Sequence, residues 1–339
     1  MPAISAAGRF CGPLSFLTAL FLGSRVYPSQ QQLVATRRVV SVHSDAYQDY
    51  KNGGGYMNRL ILSLLTAGLI AGTGPVAARD VLKVCADPFN LPMSSKQQDG
   101  YENALAELVA EKLGIPEVQY EWFPQRIGFI RNTLRNDDTE DGSYKCDLVM
   151  GVIENFELAA TTRPYMRSSW AIVYPKGRGL DFIKTQEDLK NLTDEQKSLL
   201  RIGIFDRGPA TDWVFMNGLM EQATPYQSMA GDARETPAKM IDRELVEDKI
   251  NLTFVWGPIA GPTAKAVDGV EMVVIPMLNE PGMRFDYQIS MAVRHPDKAF
   301  KEELNRFIEE NQDAIDALLT EYGVPLLPVR YAGPVEDDD

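Results

Sequence analysis

From Val81 onward, apolar residues recur with two periods, near two and near 3.6, the marks of strands and amphipathic helices. Val81 to Cys85 reads as a short apolar strand, followed by a turn-rich stretch, Asp87 to Pro92. Tyr101, Leu105, Leu108, Val109 and Leu113 then share a helix face that Gly114 ends. Val118, Tyr120 and Trp122 alternate with polar residues as a second strand. Pro124 is placed to start a helix with Ile127, Ile130 and Leu134 on one face, and Asp147 to Met150 is a third, buried strand.

The pattern restarts at Trp170 to Tyr174, which is extended. A second unit follows: strand 201–205, helix 210–220, helix 237–248, strand 252–256, a short helix after Gly261-Pro262, and strand 272–275. Residues 287–294 are extended again, and two amphipathic helices are expected between about Lys298 and Tyr322. Strands alternating with helices imply parallel sheets with right-handed crossovers. Because the chain crosses over and returns, the pattern predicts two α/β lobes joined by a two-strand hinge. Residues 79–172 and 278–339 form the first lobe and 173–277 the second.

The N-terminus is set apart from that fold. Met57-Asn58-Arg59, the apolar run 60–71, the break at Gly72 to Pro75 and the small residues Val76-Ala77-Ala78 have the build of a secretory signal peptide. Cleavage is expected after Ala78, giving a periplasmic protein. Residues 1–56 are expected to lie outside the fold, as an upstream start assigned in error or an unstructured leader. The whole chain has a net charge of −13. Residues 1–78 hold six Lys or Arg against two Asp, a net of +4, so the exported chain carries −17. Such a surface repels phosphate backbones and argues against nucleic acid as a partner. The exported chain keeps two cysteines, Cys85 and Cys146. An even pair in an oxidising compartment fits one disulfide, and two buried free thiols are the alternative.

Residues for chemistry are few. The exported chain's single histidine, His295, sits in Arg294-His295-Pro296-Asp297, a turn between strand and helix, so histidine-based triads and zinc or copper sites find no support. No phosphate loop or dinucleotide fingerprint occurs. The acidic run Asn136 to Gly142 reads as a solvated loop rather than a calcium site. No catalytic residue, metal or cofactor is expected. In parallel sheets ligands sit beyond the carboxyl ends of strands. That rule selects Asp87, Phe89, Arg126, Glu154, Asp206, Arg207 and Trp256 as candidate cleft residues. Arg126 is placed either to reach an anion or to pair with a carboxylate such as Asp87, and Asp87 also reads as a turn former.

Four motifs occur in order: Cys85-Ala86-Asp87-Pro88 with Asn90-Leu91-Pro92; Pro124-Gln125-Arg126 with Gly128 to Leu134; Cys146 to Gly151; and Trp256 to Gly261. Together they resemble the MxaJ/XoxJ type of periplasmic protein, over Val81 to about Pro328. The resemblance implies a type II periplasmic-binding-protein fold and association with a PQQ-dependent (quinoprotein) methanol dehydrogenase. It thus points to a non-enzymatic accessory role, through protein contact in assembly or activation. Amino-acid binders of the wider superfamily carry an arginine clamp after the third strand and an acidic residue in the second lobe. Here the first segment reads Gly151 to Glu157 without arginine, and Trp256 stands at the second position. Trp256 is read either as lining the cleft or as packing the lobe. An ABC-transporter receptor for a small molecule other than an amino acid is the alternative function. An enzyme on the same scaffold is a further one, with Glu154 as its sole candidate acid.

Overall fold

The computed structural model describes residues 79–331. The expected leader 1–56, the signal peptide 57–78 with its cleavage site, and the acidic tail Glu336 to Asp339 lie outside the described residues. Strand β1 (Val81–Ala86) leads into a two-stranded hairpin of β2 (Phe89–Asn90) and β3 (Ser94–Ser95). Helix α1 (Tyr101–Leu113) follows, with Tyr101, Leu105, Ala106 and Val109 buried. It ends at Gly114, whose left-handed backbone (φ 68°) turns its N–H back to the carbonyls of Ala110 and Glu111. Strands β4 (Glu117–Trp122) and β5 (Leu148–Ile153) lie parallel to β1, one on each side.

Strand β6 (Ala160–Pro175) is ten residues longer at its start than the Trp170 to Tyr174 pattern predicts, because it belongs to both lobes. Its first part pairs with the returning strand and its last part with the second lobe's sheet. There β7 (Ile202–Phe205) lies parallel to β8 (Ala223–Tyr226) and β9 (Leu252–Trp256), and β10 (Met272–Pro276) is antiparallel to β6, while the returning strand, β11 (Asp286–Val293), lies antiparallel between β6 and β5 in the first lobe's sheet. The order along the sheets is β4-β1-β5-β11-β6-β9-β7-β8. Where β6 and β11 cross between lobes, Arg167 and Asp286 form a buried ion pair. Apolar clusters cover both faces of each sheet, as parallel strands require. No helix among the described residues is long and apolar enough to cross a membrane.

Helices depart from the periodic reading at identifiable points. In place of a helix from Pro124 there is one turn, α2 (Phe129–Asn132), preceded by Gly128 at φ 91°. Ile130 and Leu134 are buried, but Ile127 falls before that turn and is 89% exposed. Two short helices absent from the sequence reading, α3 (Gln186–Lys190) and α4 (Asp194–Ser198), begin at Thr185 and Thr193. Helix α5 (Pro209–Met216) stops short of Met220, since Asn217 leaves the helix and Gly218 adopts φ 67°. The segment expected as a helix over 237–248 is a wide π-type turn at Met240–Leu245 flanked by ordinary turns. Helix α6 (Gly257–Ala266) starts before Gly261-Pro262 rather than after it. A Cβ on Gly261 would collide with the Gly323 carbonyl, and one on Gly257 with the Ser169 carbonyl. These glycines serve close packing, Gly257 against β6 and Gly261 against the Gly323 backbone, not a turn. Helix α7 (Lys298–Tyr322) is two helical runs merged across a kink at Asn311.

Cys85 and Cys146 are joined in a disulfide, with alpha carbons 5.4 Å apart. In register, Cys85 faces Val149, so a straight strand would carry Cys146 out of reach. The chain instead bends at 145–147, where the Asp147 N–H bonds to the Lys83 carbonyl at 2.8 Å. Arg294 clamps the bend through the Cys146 carbonyl and the Asp147 carboxylate, both at 2.6 Å.

Candidate functional site

At the end of β1, Asp87 is buried and its carboxylate is saturated by the chain itself. Oδ1 accepts from the Phe89 N–H at 2.8 Å and Oδ2 from the Gln125 N–H at 2.6 Å. The second bond ties the first strand's loop to the loop after β4. Asn90 reinforces it by donating to Gln125 Oε1 at 3.0 Å. Phe89 stands half-exposed on the same rim.

Arg126 neither pairs with Asp87 nor stands open to an anion. Its guanidinium donates to the backbone carbonyls of Ala230 (2.5 Å) and Asp232 (2.8 Å) in the second lobe. Those carbonyls belong to the loop after β8, which Asp206 holds from the other end by accepting the Ser228 N–H at 2.9 Å. Hydrogen bonds from the Ser228 hydroxyl and backbone keep the Asp206 carboxyl below its usual range. Asp232, bonded by Arg234 and close to Arg126, is lowered to about 2. Asp87, Arg126 and Asp206 therefore act on one connected set of loops that joins the lobes. Arg207, next in the chain, is exposed.

Glu154 and Trp256 lie apart from that set. The Glu154 carboxylate accepts from Gln288 Nε2 at 2.8 Å. Trp256 meets the Tyr287 ring edge-on at 5.9 Å. Tyr287 and Gln288 are consecutive in β11 and point to opposite faces of its sheet, so the two candidates sit on different sides. Trp256 is half-buried and touches the cores of both lobes, packing the seam between them.

Sequence reasoning missed Glu102. It is buried on α1, and its Oε1 has no hydrogen-bond partner. Burial first, then the charge of Asp87, pushes its carboxyl up to about 7. Space for it exists because residue 151 on β5 is glycine: a Cβ there would lie 2.5 Å from Glu102 Oε1. The phenols of Tyr101 and Tyr165 are also raised, chiefly by burial and then by Glu102, which places the three groups in one buried polar cluster. A glycine on the strand face opposite an acidic first helical turn was the available signal.

The loops joined by Asp87 and Arg126 also carry exposed apolar side chains. Ile127 and Met229 (56% exposed) are the chain neighbours of Arg126 and Ala230, which bond across the lobes. Phe89 and Leu91 on the first lobe are about half-exposed. The polar groups at the strand ends are thus largely engaged within the protein, while apolar ones face outward.

No protein-family model matches the chain. Its backbone matches that of the periplasmic binding protein XoxJ from Methylobacterium extorquens AM1 with a TM-score of 0.58. The two are 33% identical, over 73% of this chain and 99% of that one. MxaJ from Methlophaga aminisulfidivorans MPT matches with a TM-score of 0.57 at 25% identity, over 73% of this chain and all of that one. Protein MoxJ of Paracoccus denitrificans is 23% identical over 282 residues, 77% of this chain and 95% of its own length.

Proposed function

The chain belongs to the MxaJ/XoxJ family of periplasmic binding proteins, and on that premise we propose that it is a non-enzymatic accessory protein for a PQQ-dependent methanol dehydrogenase. It acts in the periplasm, after removal of residues 1–78, by protein contact during assembly or activation of the enzyme. The observation that carries this reading is the outward apolar rim of Phe89, Leu91, Ile127 and Met229 beside strand ends where Asp87, Arg126 and Asp206 are already bonded within the protein. Exposed apolar groups of this kind lose water on docking to a protein. A net charge of −17 on the exported chain adds long-range attraction for a basic partner surface.

The loss of both charged anchors found in amino-acid binders supports the same reading. A ligand carboxylate or ammonium buried without its counter-charge costs several kcal/mol, at about 1.4 kcal/mol per tenfold in affinity. The test is capture of purified methanol dehydrogenase on the immobilised exported chain at low and high salt, beside calorimetry with an amino-acid panel. Retention of the enzyme is expected, strongest at low salt. The double variant Ile127→Asp, Met229→Asp should weaken it by at least about tenfold, while the amino acids give no isotherm. A micromolar amino-acid isotherm with no enzyme retained at either salt would transfer the protein to the transport receptors.

A further inference from the structure

The two lobes finish their sheets differently. The first lobe's sheet runs β4-β1-β5-β11-β6 and the second's β8-β7-β9-β6-β10. At the end of the first, the chain itself closes the outer edge of β6. The Leu327 N–H donates to the Arg167 carbonyl at 2.7 Å, and the Ser168 hydroxyl donates to the Pro325 carbonyl. At the end of the second, β10 is bonded on one side. The Lys176 N–H donates to the Glu271 carbonyl at 2.8 Å and the Met277 N–H to the Trp170 carbonyl at 2.7 Å, so the odd-numbered residues face β6. By the alternation of an antiparallel ladder, Met272 and Val274 turn their N–H and C=O groups outward. Among the described residues, no strand pairs with them.

This edge also lacks the usual safeguards. Open edges are blunted by charge or proline, and the molecule's other edges follow that rule: β4 carries Glu117 and Glu121, and β8 carries Pro225. From Met272 to Ile275, β10 is apolar and uncharged, with proline only as its last residue. The flanking Glu271 is tied to Lys176 at 2.6 Å. Beside the edge a cavity of about 640 Å³ opens between Met272 and Val274, α6 at Gly261 and Ala264, and the turn at Gly323 and Pro325. No residue of the apolar rim lines it, and β8, which precedes the loop of Met229, is at the opposite end of the sheet.

We propose that two copies of the protein pair through β10 as an antiparallel, two-fold symmetric dimer centred on Val273, with one sheet continuous across both second lobes. The edge itself specifies the occupant. In that register Met272 of one copy faces Val274 of the other, each pair exchanging both of its N–H···O bonds, so every outward group of the two residues is satisfied. Centred on Val274 instead, Met272 would face Pro276, which has no N–H to give. The side chains of Met272 and Val274 lie on the cavity side of the sheet, so the cavity receives those of the second copy. Glu271 falls opposite Ile275, and no like charges meet. Each copy spends its one unguarded edge, so assembly stops at the dimer. The inference does not rest on the dehydrogenase reading.

Sedimentation equilibrium of the exported chain from about 5 to about 500 µM, at about 0.05 and about 0.5 M salt, tests it. A short strand pair buries less than a standard interface, and a net charge of −17 on each copy adds repulsion that salt screens. A dimer with a Kd of about 10–100 µM is therefore expected at high salt, weakening at least about threefold at low salt. Capture of the dehydrogenase has the opposite salt dependence, so the two readings fail separately. Val274→Pro removes an outward N–H and no bond to β6, and should weaken dimerisation at least about tenfold. Val273→Cys sets two thiols in a facing, non-hydrogen-bonded pair with alpha carbons about 4.5 Å apart, within disulfide reach. Mild oxidation should link that variant into a dimer on a non-reducing gel. Ile275→Cys, on the same face but opposite Glu271, should stay unlinked. The cysteine variants alter no backbone group and decide the question even where the proline variant does not fold. The proposal is overturned if the chain stays monomeric to about 500 µM, or if a folded Val274→Pro associates as tightly as the parent. It is overturned equally if Ile275→Cys links as readily as Val273→Cys.

Discussion

Both lobes follow one plan: the second parallel strand lies outside the first, the third lies on its other side, and an antiparallel crossing strand comes next. The order is β4-β1-β5-β11 in the first lobe and β8-β7-β9-β6 in the second. What holds the plan together differs. In the first lobe a 13-residue regular helix covers the sheet and a disulfide pins β1 to the approach to β5. In the second the passage from β8 to β9 is a π-type turn braced by charge: Arg243 donates to Glu235 and Glu244, and the Tyr226 hydroxyl donates to Glu244. Each lobe also buries one glutamate, with opposite results. Burial lifts Glu102, which has an unpartnered oxygen, to about 7. Burial acts on Glu244 in the same direction, but bonds from Arg243 and Tyr226 outweigh it and hold that carboxyl below its usual range. A buried carboxylate is thus neutralised by a proton in one lobe and by a partner in the other.

The largest expected effect comes from removing the staple that only the first lobe has. The disulfide closes a loop between residues 61 apart, for which the chain-entropy estimate is about 4 kcal/mol. Cys85→Ser with Cys146→Ser should lower the unfolding free energy, taken from the denaturant midpoint and slope, by that order. Loss of first-lobe structure should precede the fluorescence change of Trp213, which is buried in the second lobe. Coincident transitions would show that the lobes unfold as one unit and that the bridge stabilises both.

Glu102 gives the next effect, and its sign is fixed by linkage. Its folded pKa, about 7, lies above the reference 4.5, so between those values the folded state holds more protons than the unfolded one. The protein is therefore favoured below about pH 4.5 and loses stability as pH rises to about 7, by about 3 kcal/mol in all from a shift of this size. Glu102→Gln, neutral throughout, should flatten this pH dependence and be the more stable form at pH 8. Glu244→Gln should not do so, because that carboxylate is charged and bonded already. Urea titrations at pH 5 and pH 8 separate the two. A parent protein equally stable at both would mean that Glu102 is ionised without penalty.

How much of this was readable in the chain follows the same division. The spacing of Tyr101, Leu105 and Val109 with Gly114 behind them located α1, since one apolar face and one left-handed cap suffice. Strand β8 escaped because Ala-Thr-Pro-Tyr has no alternation and Pro225 suits only an edge. The start of α6 was misplaced because Gly257 and Gly261 look like turn residues. Their reason is packing against residues far along the chain. The candidate site divides likewise. Asp87 and Arg126 were selected by their place after strands, while Arg126's acceptors lie 104 and 106 residues away on a loop without periodicity. The burial of Glu102 depends on Gly151, a pairing visible only once helix and strand are in contact.

The smallest expected change in stability tests whether the two lobes are latched. Arg126 is the side chain that donates from the loop after β4 to the loop after β8, through two charge-assisted bonds to backbone oxygens. Hydrogen bonds to a charged group are worth about 1.5–3 kcal/mol when buried, and partial exposure here brings the estimate to about 1 kcal/mol. A crossing point already held by the buried Arg167–Asp286 pair keeps the lobes joined without the latch. Arg126→Ala should therefore melt close to the parent yet show a larger radius of gyration in solution scattering, as the lobes separate about the hinge. Asp206→Ala, which releases the other end of the same loop, should reproduce part of that expansion. An unchanged radius in both variants would mean that the hinge alone sets the distance between lobes, and that the bonds to Ala230 and Asp232 follow closure without causing it.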